Sequence, residues 1–246
     1  MRRSVGVNLK DVPWRAMSVL LLLVAVYLPA IPAQQSDRKT FDALLESAFK
    51  HNEAEEFELA IRDVNEALRL SPKSAALYAF RGAMYVQLKE YTKALPDFDE
   101  ALRFDPNVKG PIHGLRGLCL FNLQRWDEAI DSLTLQLRRD EKDFIAYTIR
   151  GRAYFEKKDC RKANIDFTMA IQINAKQSRA YTYRANCYLS MGDFANAVSD
   201  ASEEIRLNPE SIFPYHIRAS AYLKLGKTSL AEADEEKAKE LEGKGN

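Results

Sequence analysis

Apolar and small residues recur along this chain with a period of about 34 residues, beginning near Phe41. In the clearest copy, residues 75–108, Tyr78, Gly82 and Tyr85 fall at positions i, i+4 and i+7. This spacing predicts one packed face of an α-helix. A period of this length is typical of a stacked repeat architecture, in which each unit buries its apolar face against the next unit.

The second half of the same copy predicts another helix. Ala94, Phe98 and Ala101 follow a helical spacing, and Pro106 ends the pattern because proline cannot continue a helix. Small residues are expected where two helices cross, since only short side chains permit a close approach. They recur at matching positions of six copies: Ala48, Ala60 and Ala67; Gly82, Ala94 and Ala101; Gly117 and Ala129; Gly151, Ala163 and Ala170; Ala185 and Ala197; Ala219, Ala231 and Ala238.

This pattern resembles the tetratricopeptide repeat over residues 41–243, with one extra residue at Lys109 or Gly110. The resemblance implies an all-α, right-handed superhelical solenoid of antiparallel helix pairs, with the first helix of every unit lining a concave face. The predicted units are residues 41–74, 75–108, 110–143, 144–177, 178–211 and 212–246. The last unit ends in a polar helix, which we expect to cap the open end of the solenoid.

Two copies depart from the pattern where one unit meets the next. The third copy has Gln136 and Glu141 where alanine and proline are expected, and the fourth has Ala175 in place of the proline. We expect these two junctions to be straighter or looser than the others.

The first 33 residues do not follow the repeat. A basic leader precedes an apolar run of about twelve residues, which is shorter than the roughly 20 residues that span a bilayer. This layout predicts a signal peptide, residues 1–33, cleaved after Ala33 or after Ala30, and a short linker over residues 34–40. The protein would then be secreted or periplasmic, without stable membrane insertion; the alternative is a membrane anchor formed by an uncleaved N-terminal segment.

Charge and motif content exclude several functions at the level of the sequence. The chain has 36 basic and 35 acidic residues, a balance that does not favour nucleic acid as a partner. Phosphate-binding loops, nucleophile elbows and metal-ligand spacings are absent from the sequence. We therefore predict a non-catalytic protein that has no cofactor and no metal.

Arginine precedes the small residue of the first helix in five copies, and aspartate recurs in the second helix. The residues of this series are Arg81, Arg116, Arg150, Arg184 and Arg218, with Asp63, Asp97, Asp166, Asp200 and Asp234. We interpret them as a polar ladder between helices, because the matched charges favour internal pairing. The alternative is a basic stripe for an acidic ligand. The sequence leaves open whether each arginine pairs within its own repeat or with the preceding one.

The three cysteines, Cys119, Cys160 and Cys187, all occupy positions that other copies fill with packing residues. Cys160 and Cys187 belong to adjacent repeats, so a disulfide bond between them is a hypothesis for an exported protein.

The remaining first-helix residues are candidates for a peptide-binding groove. The candidates are Leu118, Phe121, Asn122, Thr148, Arg152, Phe155, Arg179, Thr182, Asn186, Leu189, Phe213 and His216. We predict a scaffold or adaptor that binds a protein or peptide segment there; its oligomeric state is left open. The alternative is a glycan-binding or enzyme-associated accessory subunit of the cell envelope, in which Phe121 and Phe155 stack on sugar rings. Family members that grip the C-terminus of heat-shock chaperones have lysines where Thr148, Thr182 and His216 stand here, so we expect no copy of that clamp.

Overall fold

A computed structural model describes residues 35–176 and 178–244. The predicted signal peptide and its cleavage site lie outside the described residues. Within them the chain forms twelve α-helices and no β-strand. The helices are α1 (Gln35–Glu53), α2 (Phe57–Leu70), α3 (Ala75–Gln87), α4 (Tyr91–Phe104), α5 (Ile112–Asn122), α6 (Trp126–Arg139), α7 (Phe144–Glu156), α8 (Cys160–Ile173), α9 (Ser178–Ser190), α10 (Phe194–Leu207), α11 (Phe213–Lys224) and α12 (Thr228–Lys244).

The chain divides into two compact units, one ending at Ser132 and the other beginning at Leu133, inside α6. In the first unit α1 packs on α2 and α3 on α4, and contacts of α2 with α3 and of α4 with α5 join consecutive pairs. In the second unit α7 packs on α8, α9 on α10 and α11 on α12, with α8–α9 and α10–α11 contacts between the pairs. The predicted all-α solenoid of helix pairs is confirmed.

The small residues lie where the two helices of a pair touch. A β-carbon built on Gly82 would stand 3.0 Å from Cε1 of Phe98, and one on Gly151 would stand 2.8 Å from Cε1 of Phe167. Because 2.8 Å is shorter than any ordinary carbon–carbon contact, α7 and α8 can approach this closely only with glycine at that position. The sequence interpretation of these residues as close-approach points agrees with this geometry.

A three-residue turn joins the two helices of every pair, and its middle residue has a positive φ angle. These residues are Glu55, Lys89, Gln124, Lys158, Gly192 and Gly226. In the α7–α8 turn, Lys158 has φ 66°, and the amide of Asp159 donates to the carbonyl of Tyr154 at 2.9 Å. This is the Schellman arrangement, which satisfies a carbonyl at the end of the first helix. Four of the six turns achieve it with a residue other than glycine.

Two of the junctions between repeats are fastened by a tyrosine and a proline. The hydroxyl of Tyr78 donates to the carbonyl of Pro72 at 3.4 Å, and that of Tyr215 donates to the carbonyl of Pro209 at 3.2 Å. Each proline therefore has two functions: it follows the end of a helix in its own repeat, and its carbonyl accepts a hydrogen bond from a tyrosine of the next repeat.

The junction after the third copy is built differently, as its departures from the repeat pattern suggested. Buried Gln136 donates from Nε2 to Oδ2 of Asp143 at 3.0 Å, and Asp143 caps α7 by accepting from the amide of Ala146 at 2.9 Å. A pocket of about 510 Å³ opens beside Glu141 and Tyr147. This junction is therefore held by a hydrogen bond between Gln136 and Asp143, and a pocket lies beside Glu141, the position that proline would occupy.

The first helix begins earlier than the sequence analysis indicated. Residues 35–40, which were assigned to a linker, belong to α1, and the hydroxyl of Thr40 donates to the carbonyl of Ser36 at 3.0 Å. No proline or glycine interrupts residues 35–53, so the helix continues backward through polar and exposed positions.

The last helix, α12, buries only a narrow stripe, which consists of Ala231, Asp234, Ala238 and Leu241. Most of its other side chains are charged and exposed. A helix of this composition suits the polar end that an open repeat array requires.

Candidate peptide-binding groove

The arginine series links consecutive repeats. Arg150 donates from Nε and Nη2 to the two carboxylate oxygens of Asp166, at 2.8 Å each, and from Nη1 to the hydroxyl of Thr134 at 2.9 Å. Asp166 belongs to the same repeat and Thr134 to the preceding one. Three other arginines repeat this arrangement: Arg81 with Asp97 and Asn65, Arg184 with Asp200 and Thr168, and Arg218 with Asp234 and Ser202.

The structure thus answers the pairing question that the sequence left open. Each of these guanidinium groups takes its carboxylate from its own repeat and a neutral oxygen from the repeat before it. Burial acts to lower the pKa of Arg150, but the hydrogen bonds and charge of Asp166 outweigh it and the pKa is raised. Burial also raises the pKa of Asp166, against the effect of the guanidinium. Both groups are therefore desolvated and depend on each other for compensation.

Arg116 is the exception in the series. The third copy has Ser132 where the other copies have aspartate, and the hydroxyl of Ser132 donates to the carbonyl of His113 at 2.9 Å. Arg116 turns instead to the preceding repeat, where its Nε donates to Asp99 at 2.7 Å. Arg116 therefore still forms an ion pair, but its carboxylate comes from the preceding repeat and not from its own.

Three of the predicted groove residues lie in the first unit, and all three serve internal contacts. Leu118 and Phe121 are buried, and the ring of Phe121 packs against Trp126 with centroids 5.0 Å apart. The side-chain amide of Asn122 donates to the carbonyl of Leu118 at 2.8 Å. This part of the predicted set therefore offers little free surface to a ligand.

The other nine lie in the second unit, where several are also occupied within the protein. The hydroxyl of Thr148 donates to the carbonyl of Phe144 at 2.8 Å, and Leu189 packs on a cluster that includes Ala185 and Ile217. His216 contacts Glu235 through Nδ1 at 3.1 Å. Three others among the nine keep accessible surface: Phe213 is 61% exposed, and Thr182 and Asn186 are half-buried.

Four residues of the neighbouring first helices α7 and α9 form what we call the α7–α9 patch: Arg152 and Phe155 on α7, and Arg179 and Tyr183 on α9. The guanidinium carbon of Arg152 lies 5.2 Å from the ring centroid of Tyr183. Phe155 meets the same ring edge-on at 5.6 Å, and Phe167 stacks on it at 5.6 Å. Tyr183 is therefore held between aromatic neighbours and fixes the position of the arginine.

The electrostatics of this patch differ from those of the ladder. Arg152 is only 7% exposed, and this burial lowers its pKa. The positive charge of Arg179 lowers the pKa further, whereas Tyr183 and Glu156 act in the opposite direction. The buried guanidinium of Arg152 and the half-buried one of Arg179 thus lie close enough for the charge of one to act on the other.

Three members of the α7–α9 patch, Arg152, Phe155 and Arg179, are among the groove residues predicted from the sequence, whereas Tyr183 is not. The signal was available, because Arg179, Tyr183 and Asn186 stand at i, i+4 and i+7 on one face of α9. An aromatic residue at helical spacing is most often a packing residue. The ring of Tyr183 packs between Phe155 and Phe167 and also contacts the guanidinium of Arg152.

Two absences hold within the described residues 35–176 and 178–244. Among these residues, no group of three or more histidine, cysteine, aspartate or glutamate side chains is arranged to hold a metal ion. In the same part of the chain, no helix is long and apolar enough to cross a membrane.

Comparison with known proteins agrees with the observed fold. A family model described as tetratricopeptide repeat matches residues 53–108. The TPR repeat-containing thioredoxin TDX of Arabidopsis thaliana is 28% identical over 119 residues, covering 48% of this chain and 29% of that protein. The chain thus spans less than a third of this curated relative.

Two solved structures are similar over most of their own length. The crystal structure of MamA is 26% identical with a TM-score of 0.62, covering 66% of this chain and 95% of that one. The structure of YrrB, described as a TPR protein with an unusual peptide-binding site, is 17% identical with a TM-score of 0.64, covering 72% of this chain and 91% of that one. At 17% identity the second likeness concerns the fold alone.

The helix pairs, the glycine contacts and these likenesses define an all-helical repeat protein of the class that serves as a scaffold for protein interactions. Within that class, residues 53–108 match the tetratricopeptide-repeat model, and the described helix pairs share the fold of a solved tetratricopeptide repeat protein from Parabacteroides merdae.

Proposed function

We propose that this protein is an exported, non-catalytic adaptor that binds an extended segment of a partner protein across the α7–α9 patch. The observation that carries the proposal is the contact of Arg152 with the ring of Tyr183, close enough to Arg179 for the charge of Arg179 to act on Arg152. Paired guanidinium groups beside aromatic rings suit a peptide that presents a carboxylate or carbonyl oxygen next to an apolar side chain.

The rigidity of the patch supports binding at low entropic cost. Tyr183 is packed between Phe155 and Phe167, and Arg152 is almost fully buried, so both are ordered before a ligand arrives. A preorganised surface loses little conformational freedom on binding. Arg179 is half-buried, so an incoming oxygen would meet Arg179 first and approach Arg152 afterwards.

Export is the second part of the proposal and rests on residues 1–33 alone. The test is cell fractionation together with determination of the N-terminal residue of the purified protein. A mature chain that begins at Gln34 or Ile31 in the exported fraction would support it. An intact Met1 in the cytoplasmic fraction would contradict it and leave the adaptor proposal standing.

The partner is best sought by crosslinking in the cell. A photoreactive amino acid at Thr182, which lies on α9 between Arg179 and Tyr183, should crosslink to the partner, and mass spectrometry should identify the captured segment. The same probe at Glu203 on α10 serves as a control for nonspecific neighbours.

Binding of the captured segment, made as a synthetic peptide, is then measured by isothermal titration calorimetry. Arg179→Ala should weaken binding at least about tenfold, since loss of a charge-assisted hydrogen bond costs about 1.5–3 kcal/mol. Arg206→Ala is the matched control, because Arg206 is exposed on α10 and pairs with Glu203 at 2.6 Å. Equal affinities of both variants and the wild type would rule out this site.

The glycan-binding alternative gains no support from the first unit, since Phe121 is covered by Trp126. Retention of the wild-type protein on cell-wall glycan, with no protein captured from Thr182, would nevertheless favour it over the adaptor.

A further inference from the structure

Two of the three cysteines lie together in the second unit. Cys160 is the first residue of α8, and Cys187 lies in α9, 27 positions later. Both belong to one hydrophobic cluster that also contains Phe167 and Tyr183. Cys187 is fully buried and Cys160 is half-buried. The sequence raised a bond between them only as a hypothesis from adjacent repeats; the structure packs both thiols in one cluster, where they are free and hydrogen-bonded to each other.

Their interaction distinguishes them from the third cysteine. The pKa of the Cys187 thiol is raised by burial first, then by its hydrogen bond and charge interaction with Cys160. Burial raises the pKa of Cys119 to about 12, but the charged neighbours of that thiol are Arg116 and Asp99 and not another cysteine. Cys119 therefore provides an internal reference for a buried thiol that has no thiol partner to bond with.

We propose that Cys160 and Cys187 are a disulfide-forming pair that joins α8 of the fourth repeat to α9 of the fifth. The oxidant is a small or protein disulfide, such as oxidised glutathione. The thiolate of Cys160 attacks one sulfur of that disulfide, forms a mixed disulfide and releases the other half as a thiolate. The sulfur of Cys187 then attacks Cys160 and displaces the second half of the external disulfide, and the proton of the Cys187 thiol passes to that departing thiolate. Two protein thiols are oxidised and one external disulfide is reduced to two thiols.

The surroundings support this order of events. Cys160 is the more accessible sulfur, and residues 156–162 around it keep a net positive charge: Lys157, Lys158, Arg161 and Lys162 outnumber Glu156 and Asp159, although Asp159 pairs with Lys162 at 3.2 Å. Their positive charge attracts an anionic disulfide such as oxidised glutathione. Cys187 is too buried to meet the oxidant first, but it lies in place to resolve the mixed disulfide.

The test uses the full chain in buffers that contain reduced and oxidised glutathione in varying ratios. After trapping free thiols, mass spectrometry of proteolytic peptides should show the Cys160 and Cys187 peptides joined, with Cys119 free. The melting temperature should rise by about 5 °C on oxidation, because the bond closes a long loop in the unfolded chain. Cys119→Ala should behave as the wild type does.

Cys187→Ala should leave glutathione attached to Cys160, because no thiol remains to displace it. Three free thiols in the wild type under the most oxidising buffer would overturn the proposal. A stable glutathione adduct on wild-type Cys160, or bonds between different molecules, would overturn it as well. None of these results depends on what binds the α7–α9 patch, so the proposed function and the disulfide stand or fall separately.

Discussion

The two faces of α7 carry two arginines with opposite environments. Arg150 holds Asp166 of its own repeat with two hydrogen bonds, reaches Thr134 of the preceding repeat and has a raised pKa. Arg152, two residues later, lies against Tyr183 and near Arg179 and has a lowered pKa. The side chains are the same, so the difference comes from the partner that each one meets. One arginine fastens repeats together; the other is assigned by our proposal to a ligand.

The largest effect is expected from Arg150→Met. The variant leaves the carboxylate of Asp166 buried, with its side chain 3% exposed and its ion pair lost. Removal of one partner from a buried pair costs about 3–5 kcal/mol. Chemical unfolding followed by circular dichroism should show this loss. In the double variant Arg150→Met/Asp166→Leu most of the stability should return, and failure to recover it would mean that the pair is not the cause.

Gly151→Ala tests the contact that lies between the two arginines. The new β-carbon would stand 2.8 Å from Phe167, so the ring or the helix must move, and overpacking of this kind costs about 1–3 kcal/mol. The same unfolding measurement applies. Gly243→Ala is the control, because nothing lies within 4 Å of that position and alanine favours a helix. Equal stability of the two variants would show that α7 and α8 are not in such close contact.

Arg152→Met should separate stability from binding. Methionine keeps apolar packing against Tyr183, and relief of the desolvation of the buried charge offsets the contacts that the guanidinium loses, so the unfolding free energy should change by less than about 1 kcal/mol. Affinity for the peptide captured at Thr182 should nevertheless fall. A loss of stability as large as that of Arg150→Met would show that both arginines are structural, and would contradict the assignment of Arg152 to ligand binding.

The smallest effect is expected at the end of the same helix. Lys158 adopts φ 66° in the α7–α8 turn, a conformation that costs a residue with a β-carbon more than it costs glycine. Lys158→Gly should therefore raise stability by about 0.5 kcal/mol, and thermal melting should detect the shift. The reverse change, Gly192→Ala in the α9–α10 turn, should lower stability by a similar amount.

The sequence was sufficient for features that every repeat shares. The helix pairs, the close approach at Gly82 and Gly151, and the pairing of most arginines with aspartates all follow from periodic positions. Periodicity reports what each copy does alike, and it therefore could not predict Arg116 turning to Asp99 or the early start of α1. Those features depend on single departures and on the absence of a helix-breaking residue.

Prediction of the candidate site was limited for a related reason. Register places a residue on a helix face, but it does not say what the neighbouring repeat puts opposite it. Leu118 and Phe121 share the register of Arg152 and Phe155, yet they are buried. Tyr183 acquires its importance from two rings and an arginine that come from other helices. Such convergence is set by packing between units, which one unit's pattern does not contain.

The fixed offsets of the ladder have a consequence for the evolution of array length. If residues 178–211 were deleted, Arg218 would meet Thr168 in place of Ser202, a hydroxyl for a hydroxyl, and it would keep Asp234. Whole units can thus be gained or lost here without disturbing the joint. Deletion of residues 75–108 would instead set Arg116 against Asn65 and remove the carboxylate of Asp99. At the joint before the third copy, Arg116 therefore needs Asp99 of the second copy, so we expect these two units to be gained or lost together.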